Sequence, residues 1–247
     1  MIKKGIDVSR WQGDIDWTKV REAGIEFAII KAGGSDDGFY TDSKFEKNYK
    51  GAKEAGISVG AYYIVGSKCV SRIDGVSDAN RFINIIKGKQ FDYPVYIDLE
   101  LTSPADKCGA TDACIGFCQT MEKAGYYCGI YASDISGFVD RLDMSRLTQF
   151  DKWAARYGGK PTAVKRYGIW QKSSTGTIPG ISGNVDLNEA YEDYPTIIKA
   201  AGLNGYKKQQ PTPAATNPTA PAQPVKAKKK ITITIDDHTY SGLLEEV

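Results

Sequence analysis

From residue 5 to about residue 202 the chain alternates between short apolar runs rich in β-branched and aromatic residues and longer stretches where apolar residues recur at helical spacing. The short runs predict strands at 5–9, 27–32, 57–65, 93–100, 127–133, 150–156, 167–173 and 184–188. The longer stretches predict helices near 17–23, 42–55, 77–87 and 112–124. Two of these run into Ala55-Gly56 and Ala124-Gly125, with the glycine expected just past a helix C-terminus. Such alternation points to a parallel sheet covered by helices. Beyond residue 133 the spacers shorten, and proline and glycine replace the helical period until Tyr194–Ala201 reads as a closing helix. The expected fold class is therefore α/β: an irregular, single-domain, TIM-like β/α barrel with helices mainly in its first half.

The pattern breaks at Lys207, which divides the chain into a body at 1–206, a Pro/Ala/Lys-rich linker at 207–230 and a tail at 231–247. The stretch Gln209–Pro224 holds five of the ten prolines among Ala, Thr, Asn and Gln, a composition that cannot bury a core. In the tail, Ile231-Thr232-Ile233-Thr234-Ile235 alternates strictly, Asp236-Asp237-His238 reads as a turn, and Thr239–Leu244 would return as a second strand. A lone hairpin is marginal in water. The tail is thus expected to self-associate or to dock on the body, unless it is the remnant of a lost binding module.

Charge changes this picture only locally. The linker carries six lysines and no acid and the tail four acids and no Lys or Arg, leaving 26 basic and 26 acidic residues in 1–206. Nothing points to nucleic acid. The basic linker fits weak attraction to an anionic polymer, or simply a solvated spacer. Five cysteines at 69, 108, 114, 118 and 128 form no CxxC pair and have no histidine among them, so reduced thiols are expected and no metal site. Gly5-Ile6-Asp7-Val8-Ser9 follows Met1 closely, with no charged and apolar leader before it, so synthesis in the cytoplasm without a signal peptide is expected.

The single histidine, His238, lies in the tail. The body therefore cannot run Ser–His–Asp or Cys–His chemistry, nor the common His-ligated zinc hydrolase mechanisms. Carboxylates remain. In Tyr93-Pro94-Val95-Tyr96-Ile97-Asp98-Leu99-Glu100 an apolar strand ends in two acids at i and i+2, which strand geometry sets on one side with Cα atoms roughly 6–7 Å apart. Barrel active sites gather at the C-terminal ends of strands. Asp7 on the first strand and Asp186 on the last would stand beside Asp98 and Glu100 once the barrel closes. Converging acids raise at least one pKa, which suits a general acid. Flat rings can stack on sugar faces. Tyr62, Tyr63, Tyr131, Trp153 and Trp170 all fall in predicted strands, and Tyr62, Tyr63, Tyr131 and Trp170 are the candidates to face a groove.

Several strings taken together resemble glycoside hydrolase family 25, the lysozymes of Chalaropsis and phage type. They are Gly5-Ile6-Asp7-Val8-Ser9 with Trp11-Gln12-Gly13, Asp98-Leu99-Glu100, Gly129-Ile130-Tyr131, Ile169-Trp170-Gln171 and Gly183-Asn184-Val185-Asp186-Leu187-Asn188, in order over about residues 3–203. The resemblance implies a muramidase acting on bacterial peptidoglycan without a cofactor. Glu100 would be general acid and Asp98 its partner, positioning the substrate's acetamido group or stabilising the oxocarbenium-like state, with Asp7 and Asp186 in support. Tyr63 stands where many members carry His, and Lys172 where an aromatic is common. The enzyme would reach the wall by phage lysis or as an extracellular protein, and anionic wall polymers could engage the linker. Other readings are a catalytically silent wall-binding barrel, which would lack an acid, and a chitinase-like glycosidase, which the Trp170–Asn188 region does not favour.

Overall fold

A computed structural model describes residues 1–208, 229–235 and 238–244. The body contains strands β1 (Lys3–Val8), β2 (Phe27–Gly34), β3 (Tyr40–Thr41), β4 (Ser58–Ile64), β5 (Val95–Asp98), β6 (Cys128–Ser133), β7 (Asp151–Ala155), β8 (Ile169–Gly176) and β9 (Val185–Ala190). Its helices are α1 (Trp17–Glu22), α2 (Phe45–Glu54), α3 (Arg72–Ile86), α4 (Lys107–Lys123) and α5 (Tyr194–Ala201). Strands β1, β2, β4, β5, β6, β7 and β8 run parallel in that order, and β9 closes the barrel by pairing antiparallel with both β8 and β1. Antiparallel closure is why no covering helix is needed between β8 and β9. β3 is a short extra strand on the edge of β2.

Two layers of side chains hold the body. The outer layer lies between barrel and helices and includes Val59, Tyr63, Phe82, Ile97, Phe117 and Ile130. The inner layer fills the barrel with Phe27, Ile29, Tyr93, Tyr96, Trp153 and Ile169. Glycines make room for these rings: a Cβ on Gly5 would fall 2.3 Å from the Phe27 ring, and one on Gly129 would fall 2.6 Å from Tyr96. Helix α5 plugs the N-terminal end with Tyr194 and Ile198. There the buried carboxylate of Asp151 accepts hydroxyls from Tyr194 at 2.6 Å and Tyr96 at 2.8 Å. Asp92 ties the same end together by accepting from Lys53, Lys199 and Tyr206, which hold its carboxyl down at about 2 against the cost of burial. With one end plugged, the inside of the barrel opens at the C-terminal ends of the strands.

Helices α3 and α4 each start about five residues earlier than the sequence pattern predicts. Glycines hid the starts. A Cβ on Gly75 of α3 would fall 2.0 Å from the Ala113 carbonyl of α4, and one on Gly109 of α4 would fall 2.0 Å from the Val70 carbonyl. These residues let the two helices touch backbone to backbone, so the early turns carry poor helix formers for a packing reason. Residues Pro211–Val247 separate from Met1–Gln210 as a second unit. In it β10 (Lys229–Ile235) pairs antiparallel with β11 (His238–Leu244), and His238, expected in the turn, already pairs with Ile235. The proline-rich stretch 209–228 and the acidic pair 236–237 lie outside the described residues. All five cysteines are free, and the buried sulfurs of Cys118 and Cys128 approach to 3.7 Å.

Candidate active site

Residues paired in register across neighbouring strands point to the same side of the sheet, and successive residues alternate. Asp98, at the end of β5, pairs with Ile64 and with Tyr131, which in turn pairs with Trp153. Asp7 stands directly opposite Asp186, Gln171 opposite Asn188, and Lys31 opposite Tyr62. These side chains rise on the inner face, and the chain leaving β5 sets Glu100 at the rim. Asp7, Tyr62, Asp98, Glu100, Tyr131, Trp153, Tyr157, Gln171 and Asp186 together line a pocket of about 210 Å³. A larger hollow of about 760 Å³ opens at the opposite end, beside Asp151 and Arg166. Its buried carboxylate, Asp151, is already bonded to Tyr96 and Tyr194, and the other acid of its lining, Glu192, is exposed.

Hydrogen bonds fix the pocket floor. Gln171 Nε2 and Asn188 Nδ2 both donate to Asp7 Oδ2, at 3.0 and 2.8 Å. Gln171 Oε1 accepts the hydroxyls of Tyr131 and Tyr157, each at 2.9 Å, and Asn188 Oδ1 accepts the Trp153 indole N–H at 2.8 Å. Each amide has its oxygen claimed by donors and its nitrogen by a carboxylate, so neither is free to turn over. Burial first, then the charge of Asp186, pushes the Asp7 carboxyl well above the ordinary range; burial also raises Asp186. The two carboxyls face each other directly, so they titrate as a pair and hold a proton between them above the usual carboxylate range.

Asp98 is 4% exposed. Of the buried side-chain polar atoms without a partner among the described residues, its Oδ1 is the one that lines this pocket. An orphaned buried acceptor costs about 1–3 kcal/mol, a cost a ligand donor would remove. Burial, then the charge of Glu100, raises the Asp98 carboxyl well above its usual range, and Lys31 opposes them. Glu100 is exposed as a residue, but its carboxyl end leans over the pocket. Loss of water raises its pKa, Lys31 pulls it down, Asp186 adds to the rise and Arg141 again opposes it. Two acids so placed titrate as a unit and keep a proton beyond the pH at which a lone carboxylate loses it.

Two of the aromatic expectations need correction. Tyr63 pairs with Ile97 and faces outward; it is 1% exposed, packs on Phe82 and Phe117 at 5.6 and 6.3 Å between centroids, and its hydroxyl reaches Asp78 at 3.4 Å. Trp170 likewise points away from the pocket, and its indole donates to the Arg156 carbonyl at 2.8 Å. Tyr62 and Tyr131 do line the pocket. Sequence reasoning missed Lys31, Tyr157, Gln171 and Asn188, and did not choose Trp153. Counting strand parity outward from Asp98 would have found the strand residues among them. Among the described residues no group of three or more His, Cys, Asp or Glu side chains is arranged to hold a metal ion.

The profile described as Glycosyl hydrolases family 25 matches residues 6–181. The chain belongs to this family. An autolytic lysozyme of Clostridium acetobutylicum is 33% identical over 190 residues, which cover 76% of this chain and 56% of that protein. The chain thus spans little more than half the length of that relative. The crystal structure of the CTP1L endolysin superposes with a TM-score of 0.71 at 28% identity, covering 80% of this chain and 70% of that one. The modular autolysin LytC of Streptococcus pneumoniae, solved in complex with a synthetic peptidoglycan ligand, gives a TM-score of 0.67 at 26% identity over 77% of this chain and 47% of that one. The family's profile spans β1 to the loop before β9, so Asp7, Asp98 and Glu100 lie inside the matched span and Asp186 just past it.

Proposed function

We propose that this chain is a 1,4-β-N-acetylmuramidase, a lysozyme that hydrolyses the bond between N-acetylmuramic acid and N-acetylglucosamine in the bacterial cell wall. The observation that carries this reading is Asp98, a buried carboxylate with one oxygen open. It lies two residues from Glu100 in a pocket walled by the rings of Tyr62, Tyr131 and Trp153. Rings and carboxylates together suit a pyranose, whose faces are apolar and whose edge carries hydroxyls and an amide. The lysozyme and endolysin names of the relatives agree with it.

In the proposed mechanism Asp98 accepts the N–H of the muramoyl acetamido group. That bond favours the ionised form of Asp98 and leaves the pair's shared proton on Glu100. Glu100 then gives this proton to the leaving glycosidic oxygen while the acetamido oxygen bonds to the anomeric carbon. The C–O bond to the neighbouring sugar breaks, and a cyclic oxazolinium forms. Water next attacks the anomeric carbon from the vacated side, loses a proton to the Glu100 carboxylate and reopens the ring, which restores the original configuration. The Asp7–Asp186 pair, which carries one negative charge between its two carboxyls, faces the positive charge that develops on the sugar. Gln171 and Asn188 hold Asp7 in place for this task. Mass spectrometry of digested walls tests the bond assignment. Muramic acid at every new reducing end is expected, whereas N-acetylglucosamine there, or cleavage of the peptide alone, would refute it.

A further inference from the structure

An alternating ladder of rings and cations leads outward from the pocket. Lys31 Nζ sits 6.0 Å from the Tyr62 ring, which lines the pocket, and 5.5 Å from the Tyr40 ring. The Arg10 guanidinium lies 5.4 Å from the same Tyr40 ring and 5.1 Å from the ring of Trp11. Trp11 is 77% exposed, so the face of its ring is open to a ligand. The turn that presents both residues is held rigidly. Gln12 Oε1 accepts from the Ser9 N–H at 2.9 Å, Ser9 Oγ from the Trp11 N–H at 3.2 Å, and Asp42 Oδ2 from the Arg10 N–H at 3.0 Å. The backbone that carries this exposed ring and cation is thus set in place before any ligand arrives.

Charge says what the ligand is. The pocket holds four carboxyl groups, so any anionic part of a substrate must lie away from it, against a cation with no other partner. Other arginines of the loops around the mouth are engaged. Arg141 donates to the carbonyls of Thr102 and Ser136, and Arg156 pairs with Asp134 at 2.8 Å. Among the described residues no carboxylate pairs with the Arg10 side chain, which stacks on rings and leaves its N–H edge open. A guanidinium edge is shaped for bidentate contact with a carboxylate.

We propose that Arg10 and Trp11 form a specificity subsite for the peptide that hangs from the muramoyl lactyl group, with Arg10 taking a peptide carboxylate and Trp11 packing on its backbone. The inference rests on the muramidase reading and names which form of that substrate is preferred: strands that still carry their peptides. The test measures kcat and KM on purified glycan strands with their peptides and on the same strands stripped of peptide by an amidase, for the wild-type full chain, Arg10→Gln, Arg10→Lys and Trp11→Ala. The expected result is that Arg10→Gln lowers the preference for peptide-bearing over bare strands by about tenfold, the size of one charge-assisted hydrogen bond, chiefly through KM. Arg10→Lys recovers part of this, and added salt erodes the wild-type preference toward that of Arg10→Gln. An equal loss on both substrates would mean a structural role for the turn and overturn the proposal, as would no loss on either. Failure of the wild type to release muramic ends from both substrates would instead overturn the muramidase reading itself.

Discussion

Replacing Gln171 by Met tests whether the pocket floor is organised by hydrogen bonds. The change keeps the side chain's length but removes three contacts: one to Asp7, one from Tyr131 and one from Tyr157. These three are not equivalent. Tyr157 is 53% exposed, so its hydroxyl can turn to water at almost no cost. The Tyr131 ring packs at 4.5 Å on the buried Trp153, and its hydroxyl, facing inward, is stranded. Asp7 keeps its bond from Asn188 but loses the other donor. A stranded buried hydroxyl and a lost bond to a carboxyl group amount to about 2–4 kcal/mol. At a urea slope on the order of 2 kcal/mol/M this lowers the unfolding midpoint by roughly 1–2 M. The sign with pH also follows. Gln171 lowers the Asp7 pKa, so its loss raises that pKa further. An acid raised on folding destabilises the native state as pH climbs above its unfolded value of about 3.9. Wild type and variant share that unfolded value, so the gap between them is level while Asp7 is protonated in both and widens only as pH rises through the raised wild-type pKa. Urea titrations followed by circular dichroism on both sides of that pKa measure it, with Tyr157→Phe as the companion that should cost below about 0.5 kcal/mol. A Gln171→Met protein within 0.5 kcal/mol of wild type, or a Tyr157→Phe protein equally unstable, would refute the reasoning.

Three further outcomes are expected. Lys31 lowers the pKa of both Asp98 and Glu100; Lys31→Met should therefore move the alkaline limb of kcat/KM up by roughly one unit, and a downward move would contradict the electrostatics. Proton NMR of the first-formed product should show the retained anomer, while an inverted one would exclude participation of the acetamido group. For the tail, residues 231–247 are proposed to associate chains: light scattering should give a larger mass for the full chain than for a version ending at Tyr206, and equal monomer masses would reject this.

Much of the fold was legible because strand and helix periods differ so plainly, and each predicted barrel strand has an observed counterpart. The direction of β9 was not. Val185–Ala190 alternates identically whichever way it runs, and only the short connection from β8 hinted at antiparallel closure. Glycines at 75 and 109 concealed helix starts, since poor local propensity there serves a contact between helices that lie apart in sequence. In the site, the carboxylates stood out through the lack of histidine in the body. The aromatics did not, because a ring looks the same in sequence whichever face it occupies. Tyr62 and Tyr63 differ by one residue and by the whole thickness of the barrel wall, as do Trp170 and Gln171. Lys31 was unreadable for a related reason: its meaning lies in a charge across the barrel at Asp98 and Glu100.

The most direct test of the central claim compares wild type with Glu100→Gln on isolated walls, reading new reducing muramic ends by mass spectrometry and folding by circular dichroism. Glutamine keeps the shape but has no proton to give at neutral pH, and general acid help is worth roughly 10²–10⁴-fold. The expected result is a folded protein whose release of muramic ends falls by at least a hundredfold, about the lower bound of that range. A folded Glu100→Gln enzyme keeping more than about a tenth of wild-type turnover would show that some other group protonates the leaving oxygen.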